Sequence, residues 1–298
     1  MPVDQRTIGH FERMLHLRKV PVLGSLPPAL LSPVADLSRE RLVEPGAVLL
    51  REGEPVSSAY YVVDGAVSVE GEGWARRVVS GHELAGLHLL ARDEKGLRAV
   101  AEAPSLLLEV EAEALFDLFE DEFAILLNVV RDLSRQLIAG LKRDPRWPSV
   151  IRSEASAELD LVERIFYLRQ ARPFTRVSIN ALAELSRGLV EVRFEPGTVL
   201  WEAGHSSDWA LLVVEGVARC TVLRGAAFDA GAGSSLGVAE ALGDVPRWYT
   251  AVVAEPLRGL QSSIEALIDV FEDNLEMALA YMSFMARLIL EAGTPTPP

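Results

Sequence analysis

Residues 44–53 read Glu44-Pro45-Gly46-Ala47-Val48-Leu49-Leu50-Arg51-Glu52-Gly53, and residues 195–204 read Glu195-Pro196-Gly197-Thr198-Val199-Leu200-Trp201-Glu202-Ala203-Gly204. From Pro45 to Pro196 the offset is 151 residues. The same offset carries Ala59-Tyr60-Tyr61-Val62-Val63-Asp64-Gly65 onto Ala210-Leu211-Leu212-Val213-Val214-Glu215-Gly216, and Gly86 onto Gly237. Further on, Glu113-Ala114-Leu115-Phe116-Asp117-Leu118-Phe119-Glu120-Asp121 returns one residue later as Glu265-Ala266-Leu267-Ile268-Asp269-Val270-Phe271-Glu272-Asp273. Agreement over such a span is the mark of an internal duplication.

Each copy has the same physical grammar. A Pro-Gly turn opens a short apolar strand, a glycine-bounded turn follows, and a second strand ends at Asp64-Gly65 or Glu215-Gly216, which reads as a hairpin turn. Short strands punctuated by glycine predict a jelly roll or barrel. The period then turns helical. Leu126, Val130, Leu133, Leu137 and Leu141 form one apolar stripe, and Leu275, Leu279, Met282, Met285 and Ile289 form its counterpart. Helical leaders are expected over Ile8 to Val20 and Ala157 to Gln170. The run Asp144-Pro145-Arg146-Trp147-Pro148-Ser149 breaks the helix. The expected organisation is a first domain over 1–143, a linker over 144–153 and a second domain over 154–298, each mainly β with flanking helices.

The run Glu-Pro-Gly, strand, Gly, strand, acid-Gly resembles the opening of the cyclic-nucleotide-binding domain family, the catabolite-activator-type β-roll also found in kinase regulatory subunits and cyclic-nucleotide-gated channels. The resemblance implies two tandem jelly-roll (β-roll) domains, each followed by a C-terminal helix pair. It also implies a phosphate-binding cassette: Gly-Glu, a short helix, then an Arg about nine residues after the Glu, in a Pro-Arg-small-Ala-Thr-like run. The short helix offers unpaired N–H groups to a cyclic phosphate. The Arg adds a charge-assisted fork, and the Glu accepts from the ribose hydroxyl.

Carried over, the second cassette has Gly237 in place, with Pro246-Arg247 and Thr250 at the Pro-Arg and Thr positions. Val238 stands where the Glu belongs, Ala239 follows, and Glu240 is the carboxylate nearest a ribose, two residues late. The small pair is replaced by Trp248-Tyr249. In the first cassette Gly86 matches, Leu87 stands at the Glu and Gly96 at the Arg. Arg98, two residues away, faces the side of Gly96 if the segment is a strand. Each charge-assisted hydrogen bond to a desolvated phosphate is worth roughly 1.5–3 kcal/mol, so losing two anchors costs on the order of 100-fold in affinity. Two functions remain open on these residues. One is a non-enzymatic regulatory or adaptor protein sensing a small ligand in the second domain; the other is a ligand-independent interaction scaffold.

Other chemistries find little purchase. A net charge of −14 opposes duplex DNA as a partner. Val177 to Leu189 superficially resembles half of a helix-turn-helix, but Phe194-Glu195-Pro196-Gly197 begins at once and leaves no room for a recognition helix, so a leader helix is expected. The five histidines, His10, His16, His82, His88 and His205, include no His-x-His pair of the kind a metal-dependent cupin enzyme needs. No Walker loop, nucleophile elbow or paired acidic motif stands out, so no catalytic residue, metal or cofactor is assigned. Cys220 is the sole cysteine and lies in an apolar strand pattern, which suggests a buried thiol in a reducing, cytoplasmic setting. The expected partner is another protein, with the helical stripes pairing within the chain or across a homodimer. Neither DNA nor a membrane is expected.

Overall fold

The computed structural model describes residues 7–71, 74–94, 96–143, 159–170, 172–222 and 225–292. The expected linker, 144–153, lies outside them. The chain divides into two compact units: residues 1–132 with 286–298, and residues 133–285.

The first unit begins with α1 (His10–Leu17) and α2 (Pro28–Leu37), the latter entered through Pro27-Pro28, where a missing N–H costs nothing. The roll follows as β1 (Arg39–Val43), β2 (Val48–Leu50), β3 (Ser58–Asp64), β4 (Ala66–Gly71), β5 (Trp74–Val79), β6 (Glu83–Leu84), the short helix α3 (Gly86–Leu90), β7 (Arg98–Ala101) and β8 (Ser105–Glu111). Two antiparallel four-stranded sheets result, in the orders β1-β8-β3-β6 and β2-β7-β4-β5. The chain then turns helical in α4 (Ala112–Asp121) and α5 (Phe123–Arg143), whose residues from Leu133 on belong to the second unit.

The second unit repeats this with α6 (Leu161–Gln170), α7 (Ile179–Gly188), β9 (Val190–Phe194), β10 (Val199–Trp201), β11 (Trp209–Val222), β12 (Ala227–Ala230), β13 (Ser235–Leu236), α8 (Val238–Gly243), β14 (Tyr249–Ser263), α9 (Ile264–Asp273) and α10 (Leu275–Glu291), the last of which belongs to the first unit from Ala286 on. Here β11 and β14 run unbroken, pairing from Trp209–Ser263 to Val222–Tyr249 with register shifts around Val213–Ala218. They do the work of β3 with β4 and of β7 with β8, so one six-stranded sheet replaces two. The helical segment Val177–Leu189 is a leader: Ser178 caps α7 by accepting from the Ala181 N–H, and β9 starts two residues after Gly188.

One expectation fails in both repeats. Asp64-Gly65 and Glu215-Gly216 are not hairpin turns. β3 pairs with β6 and β8, whereas β4 pairs with β5 and β7, so the chain crosses from one sheet to the other at Gly65. Gly65 has φ +103°, and a Cβ there would lie 2.2 Å from the Ser105 hydroxyl oxygen. A strand turning a tight corner needs that glycine. Glycine was the right signal, but it marks a corner rather than a reversal. Both helical stripes are buried: Leu126, Val130 and Leu133 are at most 1% exposed, as are Met282 and Met285.

Candidate functional site

The two cassettes are built on the same scaffold and close in different ways. In the second, Gly237 takes φ +80° and starts α8. A Cβ on it would lie 2.0 Å from Arg247 Nη1, so glycine is what lets the guanidinium come in. Arg247 is 2% exposed. Its Nη1 donates to the Gly237 carbonyl at 3.2 Å and its Nη2 to the Trp209 carbonyl. The guanidinium lies 4.2 Å from the Trp201 ring centre and 5.5 Å from that of Trp209, a desolvated cation–π geometry. The arginine that matches a phosphate-binding position is thus spent on the protein's own carbonyls and indoles.

Trp248 and Tyr249, 5% and 1% exposed, fill the roll. They meet edge to face at 5.1 Å, and Phe228 lies 5.3 Å from Tyr249. Around them pack Ala251, Val253, Leu257, Cys220 and Ile138, the last from the end of α5, with Ala239 and Leu141 against the same cluster. Val238, at the sequence position of the cassette Glu, is half-buried, and Thr250 uses its hydroxyl to accept from the Ala203 N–H at 3.1 Å. Glu240 is buried beside this group, and burial pushes its carboxyl above the ordinary value, against the pull of Arg247. Burial likewise raises Tyr249 and lowers Arg247, with the Glu240 charge opposing the latter. Arg247 Nε is buried without a hydrogen-bond partner, while the Tyr249 hydroxyl lies beside the Glu240 carboxyl and pulls its pKa down. Arg135 of α5, also in this unit, donates from Nε to the Gly243 carbonyl at 2.8 Å and so caps the last turn of α8.

In the first cassette the Gly86 N–H donates to Glu83 Oε2 at 2.9 Å, and a Cβ on Gly86 would lie 2.5 Å from that oxygen. An internal carboxylate takes the N–H at the head of α3, and burial raises the Glu83 pKa. Leu87 is half-buried at the position of the cassette Glu. Gly96 has φ +68°, and a Cβ on it would meet the Glu54 carbonyl oxygen at 2.1 Å and that of Arg51 at 2.9 Å. No side chain fits there, an arginine least of all. The same positive φ takes Gly96 out of strand conformation, so the alternation that relates it to Arg98 does not hold. Arg98 lies on the exposed face of β7, paired with Glu70 at 3.0 Å, while Ala99 and Ala101 turn inward. Arg287 of α10 donates to the Ala91 carbonyl at 3.0 Å, closing the end of α3.

The sequence missed Glu83, Trp201, Trp209 and Arg135. Its available signal was a carboxylate three residues before Gly86 where the second repeat has Ser234, and the second repeat's enrichment in tryptophan. The histidines are in local contacts, His88 with Asp93 at 2.8 Å and His10 with Asp36 at 2.9 Å. Among the described residues, no group of three His, Cys, Asp or Glu is arranged to hold a metal ion, and no helix is long and apolar enough to cross a membrane.

Strands β1 to β8 with α3, the segment bearing this first cassette, are what the family comparison singles out. Residues 40–122 match the model of the cyclic nucleotide-binding domain. The expected resemblance therefore holds for the first repeat. No curated protein matches the chain. Among solved structures, it is similar to the regulatory domain of Toxoplasma gondii PKA with cAMP (16% identity, 91% of this chain and 97% of that one, TM-score 0.35). It is also similar to the regulatory subunit of a cAMP-independent protein kinase A from Trypanosoma brucei (14% identity, 91% and 90%, TM-score 0.37). A cyclic nucleotide-binding-like protein from Brucella abortus matches at 24% identity over 37% of this chain and 98% of its own, with a TM-score of 0.32. The segment of the first repeat that matches this model thus carries a cassette whose leading N–H is occupied by Glu83.

Proposed function

We propose that this chain is a non-enzymatic regulatory or adaptor protein, formed by repeat domains over 1–143 and 154–298, that works by binding another protein while both cassettes stay closed without a cyclic nucleotide. The observation that carries this is Arg247: its guanidinium is buried, hydrogen-bonded to two backbone carbonyls and stacked on Trp201, with Trp248 and Tyr249 filling the space beside it. A phosphate would have to displace contacts that are already made and desolvated. The single buried thiol suits a reducing, cytoplasmic setting.

Titration calorimetry of the whole chain with cyclic AMP, cyclic GMP and cyclic dinucleotides tests the reading. No saturable heat is expected, and a Kd in the low micromolar range for any of them overturns it. A second reading has one observation in its favour. Arg247 Nε is buried and unpaired, a deficit that a ligand entering behind Trp248 would repair. In that case binding is seen and disappears in Arg247→Ala.

A further inference from the structure

At the end of α3 away from Gly86, the first unit brings two arginines together. Arg287 lies in the part of α10 that belongs to this unit and donates from Nε to the Ala91 carbonyl at 3.0 Å. The next residue, Arg92, has φ +52°, a left-handed backbone that a long side chain rarely adopts. Its guanidinium lies 4.7 Å from the centre of the Phe116 ring, and both arginines reach solvent. Among the described residues, the Arg92 guanidinium has no hydrogen bond, and neither arginine has a carboxylate partner. Asp93, next in the chain, pairs with His88 at 2.8 Å. Partial burial first, and then the Arg287 charge, push the Arg92 pKa down, with no carboxylate holding it up.

The second repeat builds the same corner with the opposite charge. Arg135 matches Arg287 at the offset of the helical tails, and it donates from Nε to the Gly243 carbonyl at 2.8 Å. The residue after that carbonyl is again left-handed, Asp244 with φ +48°, but aspartate tolerates this conformation. In place of Phe116 the second repeat has Ile268. One corner thus carries an arginine and an aspartate; the other carries two arginines and a ring for one of them to lie on. Capping α3 does not account for the second arginine, because the Ala91 carbonyl takes Arg287 and Arg92 donates to no carbonyl. A cation held on unfavourable backbone beside a like charge is explained by an anion that bridges the two.

We propose that Arg92 and Arg287 form a binding site for a phosphate monoester, a dianion that two guanidinium forks match in charge and in acceptor oxygens. The site lies at the opposite end of α3 from the N–H that Glu83 occupies, so it is separate from the cyclic-nucleotide position and independent of whether that position is closed. The phosphate arrives either on a small molecule or on a phosphorylated side chain of a partner.

The test uses the intact chain, labelled on arginine nitrogens, in low-salt buffer slightly above neutral pH. It is titrated with inorganic phosphate, with N-acetyl-O-phosphoserine amide and with acetate. Both phosphates produce saturable shifts of the Arg92 and Arg287 Nε–H signals with millimolar Kd, and acetate binds several-fold more weakly. In Arg92→Gln, phosphate binds roughly three- to tenfold more weakly. Arg92→Asp, which copies Asp244, abolishes phosphate binding and raises the thermal midpoint of the chain, so loss of binding there is not loss of folding. Tighter binding of the phosphoserine probe than of inorganic phosphate assigns the site to a partner's side chain, and equal binding assigns it to a free phosphate. Linear shifts with every probe, acetate binding as tightly as phosphate, or unchanged phosphate affinity in Arg92→Gln each overturn the proposal.

Discussion

Replacing Arg247 by methionine separates an arginine that holds the second roll together from one that waits for an anion. Methionine keeps most of the stem packing against Trp201 but removes the guanidinium. Two charge-assisted hydrogen bonds go, to the Gly237 and Trp209 carbonyls, at roughly 1.5–3 kcal/mol each. The stacking on Trp201 at 4.2 Å goes as well, worth about 2 kcal/mol where the cation is desolvated. Relief from burying a charge returns part of this, and Glu240 loses the charge beside it. Two buried carbonyls are left without a donor at roughly 1–3 kcal/mol each, so the expected net loss is about 2–5 kcal/mol. Urea unfolding followed by tryptophan fluorescence reads it directly, because Trp201, Trp209 and Trp248 all surround the site. The slope against urea stays unchanged while the midpoint falls. A loss below about 1 kcal/mol is what an arginine with no structural duty would give, and it would refute the self-closed cassette.

Gly96→Ala should destabilise the first unit by about 1–3 kcal/mol, because its Cβ meets the Glu54 carbonyl at 2.1 Å and its φ is +68°; thermal unfolding followed by circular dichroism measures it, and an unchanged midpoint contradicts the close approach. Glu240 has a folded pKa raised by burial, so the native state holds a proton that the unfolded chain has released. Stability therefore falls as pH rises from the ordinary carboxylate value through the raised one, then levels. Glu240→Gln should flatten that part of the pH profile of the urea midpoint, and two profiles of equal slope would dismiss the assignment. Cys220 is buried and its thiol pKa is pushed far up, first by burial and then by Glu240. It should react with a thiol reagent only at the rate of unfolding, and rapid labelling of the native chain at neutral pH would show the strand to be open.

The duplication and the roll were legible because the residues that carry them are backbone devices. Pro45-Gly46 and Pro196-Gly197 turn the chain whatever surrounds them, and the helical stripes declare a period by themselves. Gly65 and Gly216 were seen but misread, since a glycine that reverses a strand and one that bends it between sheets look alike in sequence. The placing of Arg98 on the side of Gly96 fails for a related reason. The period-two argument assumes extended backbone on both sides, and the left-handed φ of Gly96 breaks it. For Trp248 and Tyr249 the sequence gives size but not side. Whether two large rings line a pocket or fill it depends on Trp201, Trp209, Phe228 and Ile138, which come from three separate parts of the chain.

The two cassettes differ less in how much they have lost than in what they have put in its place. In the first, the position of the arginine has become a glycine pressed against the Glu54 carbonyl, and the helix N–H that an anion would take is given to Glu83. In the second, the arginine stays, and two carbonyls, an indole face and a buried carboxylate have gathered around it. A decayed site left to drift would expose its orphaned groups to water or fill with unrelated apolar side chains. Here Glu83 takes the N–H at the head of α3 and Arg247 bonds the carbonyl of Gly237 at the head of α8, although Arg247 Nε stays buried without a partner. Such partners hold a cassette helix in one position, as a ligand does when it binds the native state alone. They do so at every ligand concentration, which suits a roll whose surface must be presented constantly to a partner and not switched by a small molecule.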